Sequence, residues 1–287
     1  MPKGSFENVR VLTLESRRAT EIATLIARYG GAPIVAPALR EVPLESNGAA
    51  LDFAAELMLG GIDIAIFLTG AGVRALFDVL AIAHPGDDVR FALSRVKIAA
   101  RGPKPSNVLR ELNLPVWVTA PEPNTWRELL SAMEAKAADQ PIAGARIAVH
   151  EYGVPNQELL HALEARGATV MRVPVYKWAL PDDVGPLQHA VAAIAAGAIP
   201  VLLLTSGIQL AHLWQVVEMM GCEAEFRHGL ASTLIASIGP TTSEELARRG
   251  LTPDLEASHP KLGFLVKEAA EQATEFLARH SAASHRA

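Results

Sequence analysis

Five short turns hold most of the chemistry open to this chain. They are Thr69-Gly70-Ala71-Gly72, Arg101-Gly102-Pro103-Lys104, Tyr152-Gly153, Thr205-Ser206-Gly207 with Ile208 after it, and Gly239-Pro240-Thr241-Thr242. Each follows an aliphatic run and opens a stretch of helical periodicity. Backbone N–H groups at such a point lack an intrahelical partner and sit at the positive end of the helix dipole. Glycine lets a ligand approach the backbone, hydroxyls add donors, and proline suits the first helical position. The combination binds anions, carboxylates above all, with no basic patch. One such turn by itself is a tight turn or a cap; five of them in one chain point to a ligand.

Other chemistries find less support. Gly70-Ala71-Gly72-Val73-Arg74-Ala75 fits the dinucleotide pattern G-x-G-x-x-A. The acidic residue that should end the next strand is missing, however: that strand ends at Arg101, and Asp87 and Asp88 fall in a loop. The later echo SGIQLA also lacks the second glycine, so no nicotinamide cofactor is expected. The histidines show no ligand spacing, and His150-Glu151 reads as a strand-terminal pair. No Walker loop occurs and no Ser-His-Asp set can be assembled. Trp117, Trp126, Trp178 and Trp214 suit core or hinge packing. A single cysteine, Cys222, excludes an internal disulfide and fits a buried thiol in a reducing cytoplasm.

The elements that carry these turns come in two copies. Arg10 to Ala32 aligns with Arg146 to Ala168 at a spacing of 136 residues, and Thr69 in IFLTGAGVRAL aligns with Thr205 in LLLTSGIQLAHL at the same spacing. A third echo pairs Gly102 with Gly239, Leu114 with Leu251 and Ala120 with Ala257, each 137 apart. Three echoes in one order argue for duplication. Short aliphatic runs alternate with amphipathic stretches, the pattern of parallel α/β architecture. Strands are expected over 9–14, 33–38, 62–68, 96–100, 116–119, 146–150, 169–175, 200–205, 233–238 and 254–257. Helices fill the intervals, among them 17–29, 156–165 and 261–280, with a frayed polar tail after the last. Tandem domains would divide near Gln140. Alternatively the first strand-helix-strand piece joins the last third, and the chain crosses between domains at Arg40–Glu45 and Tyr176–Pro181, two proline-bearing segments suited to a hinge.

Composition sets the outer limits. The 287 residues are half hydrophobic, enough for two cores. A net charge of −5 without a basic block argues against a nucleic-acid partner. The longest apolar run, Ala190 to Leu204, is broken by Gly197 and Pro200, and the N-terminus lacks an apolar signal core, so no membrane segment is expected.

Taken in order, the motifs resemble the uroporphyrinogen-III synthase family over nearly the whole chain. The matching features are the strand and Thr turn of Phe67 to Val73, the A-x-G segment from Ala100 to Leu109, and Val175-Tyr176 ending a strand. LLLTSGIQLAHL and the closing IGPTTSEEL with RGLTPDLEASHP match best. The resemblance implies two similar, flavodoxin-like parallel-sheet α/β domains joined by a two-stranded hinge. One would comprise 1–39 with 182–287 and the other 46–175, with linkers at 40–45 and 176–181. It implies cyclisation of hydroxymethylbilane to uroporphyrinogen III, with loss of water and inversion of ring D, by a cytoplasmic monomer that uses no cofactor.

Hydroxymethylbilane carries eight carboxylates, and helix N-termini can hold carboxylates even on an acidic protein. Loss of the hydroxymethyl oxygen leaves a stabilised azafulvene cation that closes unaided to the symmetrical type I isomer. Directing attack to the substituted carbon of ring D, through a spiro intermediate, is a task of positioning. By the resemblance Tyr176 is the acid that assists loss of water, and Thr242 or Thr241 donates to the leaving oxygen or a carboxylate. Two departures stand out. The family often has Thr-Ser-x-Asn where Thr69 is followed here by Gly70, Ala71 and Gly72, so only backbone donors remain. An arginine after a strand-end threonine is replaced by LESRRA, which makes Arg17 or Arg18 the nearest carboxylate contact. A tetrapyrrole-binding module without catalysis is the alternative reading.

Overall fold

The computed structural model describes residues 4–44, 46–153 and 155–284, the side chains of Pro43, Tyr152 and residues 280–284 excepted. In chain order the strands are β1 (Arg10–Thr13), β2 (Ala32–Val35), β3 (Arg40–Pro43), β4 (Ile64–Phe67), β5 (Lys97–Ala100), β6 (Val118–Thr119), β7 (Arg146–Gly153), β8 (Thr169–Ala179), β9 (Val201–Leu204), β10 (Leu234–Ser237) and β11 (Leu255–Glu256). The helices are α1 (Ala19–Arg28), α2 (Gly48–Met58), α3 (Gly70–Leu80), α4 (Gly86–Ser94), α5 (Pro103–Glu111) and α6 (Trp126–Glu134), then α7 (Gln157–Glu164), α8 (Gly185–Ala195), α9 (Gly207–Met220), α10 (Glu223–Leu230), α11 (Pro240–Arg248) and α12 (Leu262–Ser284).

The chain divides into two compact units, residues 1–40 with 179–287 and residues 41–178. In the first unit the sheet order is β11-β10-β9-β1-β2, and every neighbouring pair is parallel. Counted along the unit, this is the doubly wound order 2-1-3-4-5, with its switch point between β1 and β9. The second unit has β3-β8-β7-β4-β5-β6. If β7 and β8 are counted first, its five main strands repeat the same 2-1-3-4-5 order. The 136-residue repeat and the sheets therefore fit together in one way. The first copy gives β1 and β2 to one unit and β4 to β6 to the other, and the second copy gives β7 and β8 to the latter and β9 to β11 to the former.

Parallel strands covered by helices on both faces must be apolar on both sides, and these are. IAIF of β4, VLLL of β9 and LIAS of β10 are buried along their whole length. The period of two sorts them into two layers per sheet. In the first unit Leu12, Leu202 and Leu204 face one core, while Val11, Val201 and Leu203 face the other. Helix α12 closes the second layer with Leu262, Leu265, Val266, Ala269, Ala270, Ala273 and Phe276 at helical spacing. In the second unit Ala65, Phe67, Ile98 and Ala100 lie on one side and Ile64, Ile66, Ala99 and Ile147 on the other.

Two expectations are corrected, at Asp87-Asp88 and at the end of the last helix. Within the two crossing segments, Arg40–Pro43 is β3, hydrogen-bonded along β8, and β8 runs on to Ala179. Glu45 lies outside the described residues. Asp87 and Asp88 sit in the first turn of α4, where carboxylates complement the helix dipole. Helix α12 continues through Ser284, and 285–287 lie outside the described residues.

Candidate functional site

In the first unit the strand-end turns of β9 and β10 stand side by side. Helix α9 opens at Gly207, where an added Cβ would lie 3.4 Å from the Thr241 carbonyl oxygen in the first turn of α11. Ser206 takes the N-cap position of α9 in an extended conformation, yet makes no side-chain cap bond. Its Oγ is buried without a hydrogen-bond partner. Thr242 is fully buried, and its hydroxyl is also unpartnered. Capping does not account for Thr242, because α11 is capped by Gly239 with Pro240 next and no side-chain bond. Unsatisfied buried hydroxyls cost stability, so two of them at adjoining helix N-termini mark a place where a ligand oxygen can be received. Thr241 is exposed and Ile208 partly exposed.

The preceding threonine is locked. Thr205 N–H donates to Gln209 Oε1 at 2.9 Å, Gln209 Nε2 donates to Thr205 Oγ1 at 2.7 Å, and Thr205 Oγ1 donates to Glu15 Oε2 at 2.6 Å. Neither Glu15 nor Gln209 stood out in the sequence; the signal was a carboxylate directly after the first strand. Arg17 is exposed in the turn before α1, and Arg18 pairs with Glu21 through Nε at 2.6 Å.

In the second unit α3 and α5 repeat the arrangement with different residues. Thr69 caps α3 by accepting from Gly72 N–H at 3.0 Å. That bond occupies one of the backbone donors expected to serve the ligand, leaving Gly70 and Ala71. A Cβ at Gly70 would lie 2.9 Å from the Lys104 carbonyl oxygen and 3.1 Å from Val108 Cγ2. The serine common at this place in the family therefore has no room here. Gly102 caps α5 at φ 134°, beside Asn124, whose Oδ1 a Cβ would approach to 2.7 Å. Arg101 is partly buried, and its guanidinium has no hydrogen bond or ion pair to any described residue. Burial lowers its pKa from the ordinary arginine value. A desolvated, uncommitted guanidinium is a receptor for a carboxylate. Lys104 is exposed beside it.

The third turn of this unit follows β7. Gly153 has φ 77°, and a Cβ there would lie 1.9 Å from Trp178 Cδ1, so both backbone and packing demand glycine. The Tyr152 side chain lies outside the described residues. Tyr176 is a strand residue, 6% exposed, with its ring edge-on to Trp178 at 5.7 Å. His150 and Glu151 do not pair with each other. Glu151 accepts from Arg172 Nε and Nη2 at 2.7 and 3.1 Å. His150 stacks on Phe67 at 4.3 Å with Phe53 edge-on at 4.6 Å, and neither ring nitrogen has a partner. Burial pushes its pKa down to about 3. Trp214 packs against Phe226 with Arg227 over its ring.

Among the described residues no group of three His, Cys, Asp or Glu could hold a metal, and no helix is long and apolar enough to cross a membrane.

Comparison with known proteins agrees with this architecture. A Bacillus subtilis protein, YjjA, named as uncharacterized, is 26% identical over 266 residues, 91% of this chain and 95% of the relative. A Methanothermobacter thermautotrophicus protein, whose name proposes a uroporphyrinogen-III synthase, is 28% identical over 243 residues, 84% and 89% of the two chains. Among solved structures, a mutant uroporphyrinogen III synthase of Thermus thermophilus superposes with a TM-score of 0.68 at 22% identity, covering 93% of this chain and 99% of that one. The Helicobacter pylori uroporphyrinogen-III synthetase gives 0.51 at 17%, covering 91% and 98%. The family model described as "Uroporphyrinogen-III synthase HemD" matches residues 20–267, most of the chain and every strand-end turn described above except the one after β1, and the protein therefore belongs to the uroporphyrinogen-III synthase family.

Proposed function

We propose that the protein is a working uroporphyrinogen-III synthase, a hydro-lyase that converts hydroxymethylbilane to uroporphyrinogen III and water. The observation that carries the proposal is the pair of buried, unpartnered hydroxyls of Ser206 and Thr242 at the adjoining N-termini of α9 and α11. Donors left open in this way suit the carboxylates and the leaving oxygen of the bilane. Arg101, with the open N–H groups of Gly70 and Ala71 and the exposed Lys104, supplies the second set of carboxylate donors.

In this reading Tyr176 gives its phenolic proton to the hydroxymethyl oxygen as the C–O bond breaks, and water departs. The azafulvene cation is attacked by the substituted carbon of ring D, the spiro intermediate opens, and reclosure releases a proton that restores the phenol. The protein's main work is to hold the bilane folded so that this carbon, and not the free one, reaches the cation. Such a task tolerates varied side chains, provided that the donors stand in the right places. Thr242 donates to the departing oxygen or to a neighbouring carboxylate. The work is done in the cytoplasm, by one chain without a cofactor.

A second reading, a tetrapyrrole-binding module without turnover, draws on one observation: the α3 terminus offers only backbone donors, because Gly70 excludes a serine. One assay separates the two. Purified protein is given fresh hydroxymethylbilane, and the oxidised products are resolved into type I and type III porphyrins. Type III in excess of the no-enzyme control supports the synthase and is expected to fall in Tyr176→Phe. Type I alone leaves the binding module.

A further inference from the structure

The two copies of the repeat treat one carboxylate in opposite ways. Glu151, at the end of β7, is 3% exposed and neutralised by Arg172. Its counterpart 136 positions earlier is Glu15, and the counterpart of Arg172 is Ala36. Glu15 is only partly buried and makes no ion pair with a described residue. Its neighbour Arg18 is turned to Glu21. The acceptors of Glu15 are incompletely used. Oε2 accepts from Thr205 Oγ1 at 2.6 Å and from Gln209 Nε2 at 3.5 Å, while Oε1 accepts only the Arg18 backbone N–H at 3.2 Å. A carboxylate has about four acceptor positions, so at least one on Oε1 stays open.

This open anion follows β1 at the switch point of the first unit, bonded to the residue before Ser206. A bare carboxylate beside a polycarboxylate ligand repels it, unless the ligand turns a hydrogen-bond donor toward it. A tetrapyrrole has such donors in its pyrrole N–H groups, and a charge-assisted N–H bond to carboxylate is about twice as strong as a neutral one. We propose that Glu15 binds pyrrole N–H groups, and so selects polycarboxylates that carry N–H donors over those that do not. The inference rests on the tetrapyrrole reading above, and adds a specificity residue to it.

The test compares two ligands by calorimetry: uroporphyrinogen, kept reduced, and benzenehexacarboxylate, a polycarboxylate without N–H groups. Glu15→Gln keeps an oxygen for Thr205 and removes the charge, so its melting temperature is expected to match the wild type. Its affinity for uroporphyrinogen is expected to fall about 10-fold while benzenehexacarboxylate binds equally or more tightly. A loss for both ligands together reduces Glu15 to a lock on the Thr205 turn, and a gain for both reduces it to a repelling charge; either overturns the proposal. The isomer assay on the wild type judges the synthase separately. A protein that makes no type III porphyrin yet shows the split between ligands keeps Glu15 in its role, whereas one that binds neither ligand loses both.

Discussion

At its strand-end turns the first unit presents neutral hydroxyls and a carboxylate with an open acceptor position, the second an arginine and bare backbone. Ser206 stands where the second unit has Gly70, Glu15 is open where Glu151 is paired, and Leu14 occupies the repeat position of His150. The sheets themselves agree in strand order and in which turns face the strand ends. Duplication has kept the scaffold that makes helix N-termini and let the side chains beside them diverge. The substrate proposed above is itself uneven, with carboxylates at its rim and N–H groups within.

Arg101→Gln attacks the comparison where the difference in charge is greatest. Removing this partly buried, uncommitted guanidinium is expected to lower kcat/KM for type III formation by about 10- to 100-fold, the range of a lost charge-assisted bond. The wild-type value should fall with added salt, and the variant's much less. Thr242→Val, which removes a neutral donor, should leave the salt dependence intact. Equal salt profiles for all three proteins would erase the contrast between the units.

Exchanging the residues at the α3 and α9 termini is a smaller blow. Gly70→Ser pushes a Cβ to 2.9 Å from the Lys104 carbonyl oxygen, a backbone atom that can yield only if α5 moves. Overpacking of this kind costs about 1–3 kcal/mol, read as a lower urea midpoint. Ser206→Gly has no such clash and discards a buried unpartnered hydroxyl, so its unfolding free energy should stay within about 0.5 kcal/mol of the wild type while type III formation slows. A stable Gly70→Ser protein would mean that the glycine there is not imposed by packing.

Some of this was open to a reader of the sequence, and the reasons are physical. Fully buried parallel strands need aliphatic runs, so IAIF, VLLL and LIAS declare themselves, and the turns after them fix where donors lie. Strand β3 does not declare itself: Arg40–Pro43 holds two charges and a proline, and it is a strand because β8 runs long enough to pair with it. Glu15 looks like the entry to a helix, and its bond to Thr205 spans 190 residues. The absent serine after Thr69 reads as a lost function until the contact between α3 and α5 explains it. His150 and Glu151 are adjacent in the chain but point to opposite sides of a strand, so adjacency predicted a pairing that the pleat forbids.

His150 yields the gentlest test, because unit one already supplies the control residue. Leu14, fully buried, fills the repeat position, so His150→Leu copies one copy of the fold into the other. The folded imidazole stays neutral down to about pH 3 since burial disfavours its charged form, whereas the unfolded chain titrates near 6.5. Between those values the unfolded state binds the extra proton. Stability owed to the neutral ring is therefore complete above about pH 6.5 and declines as pH falls toward 3. At about pH 6 the decline amounts to roughly 1 kcal/mol for this one group. Urea unfolding of the wild type and His150→Leu at about pH 7.5 and pH 6 should show the wild type losing that much more than the variant. A parallel loss in both would mean that the ring is protonated in the folded state and has found a partner between Phe53 and Phe67.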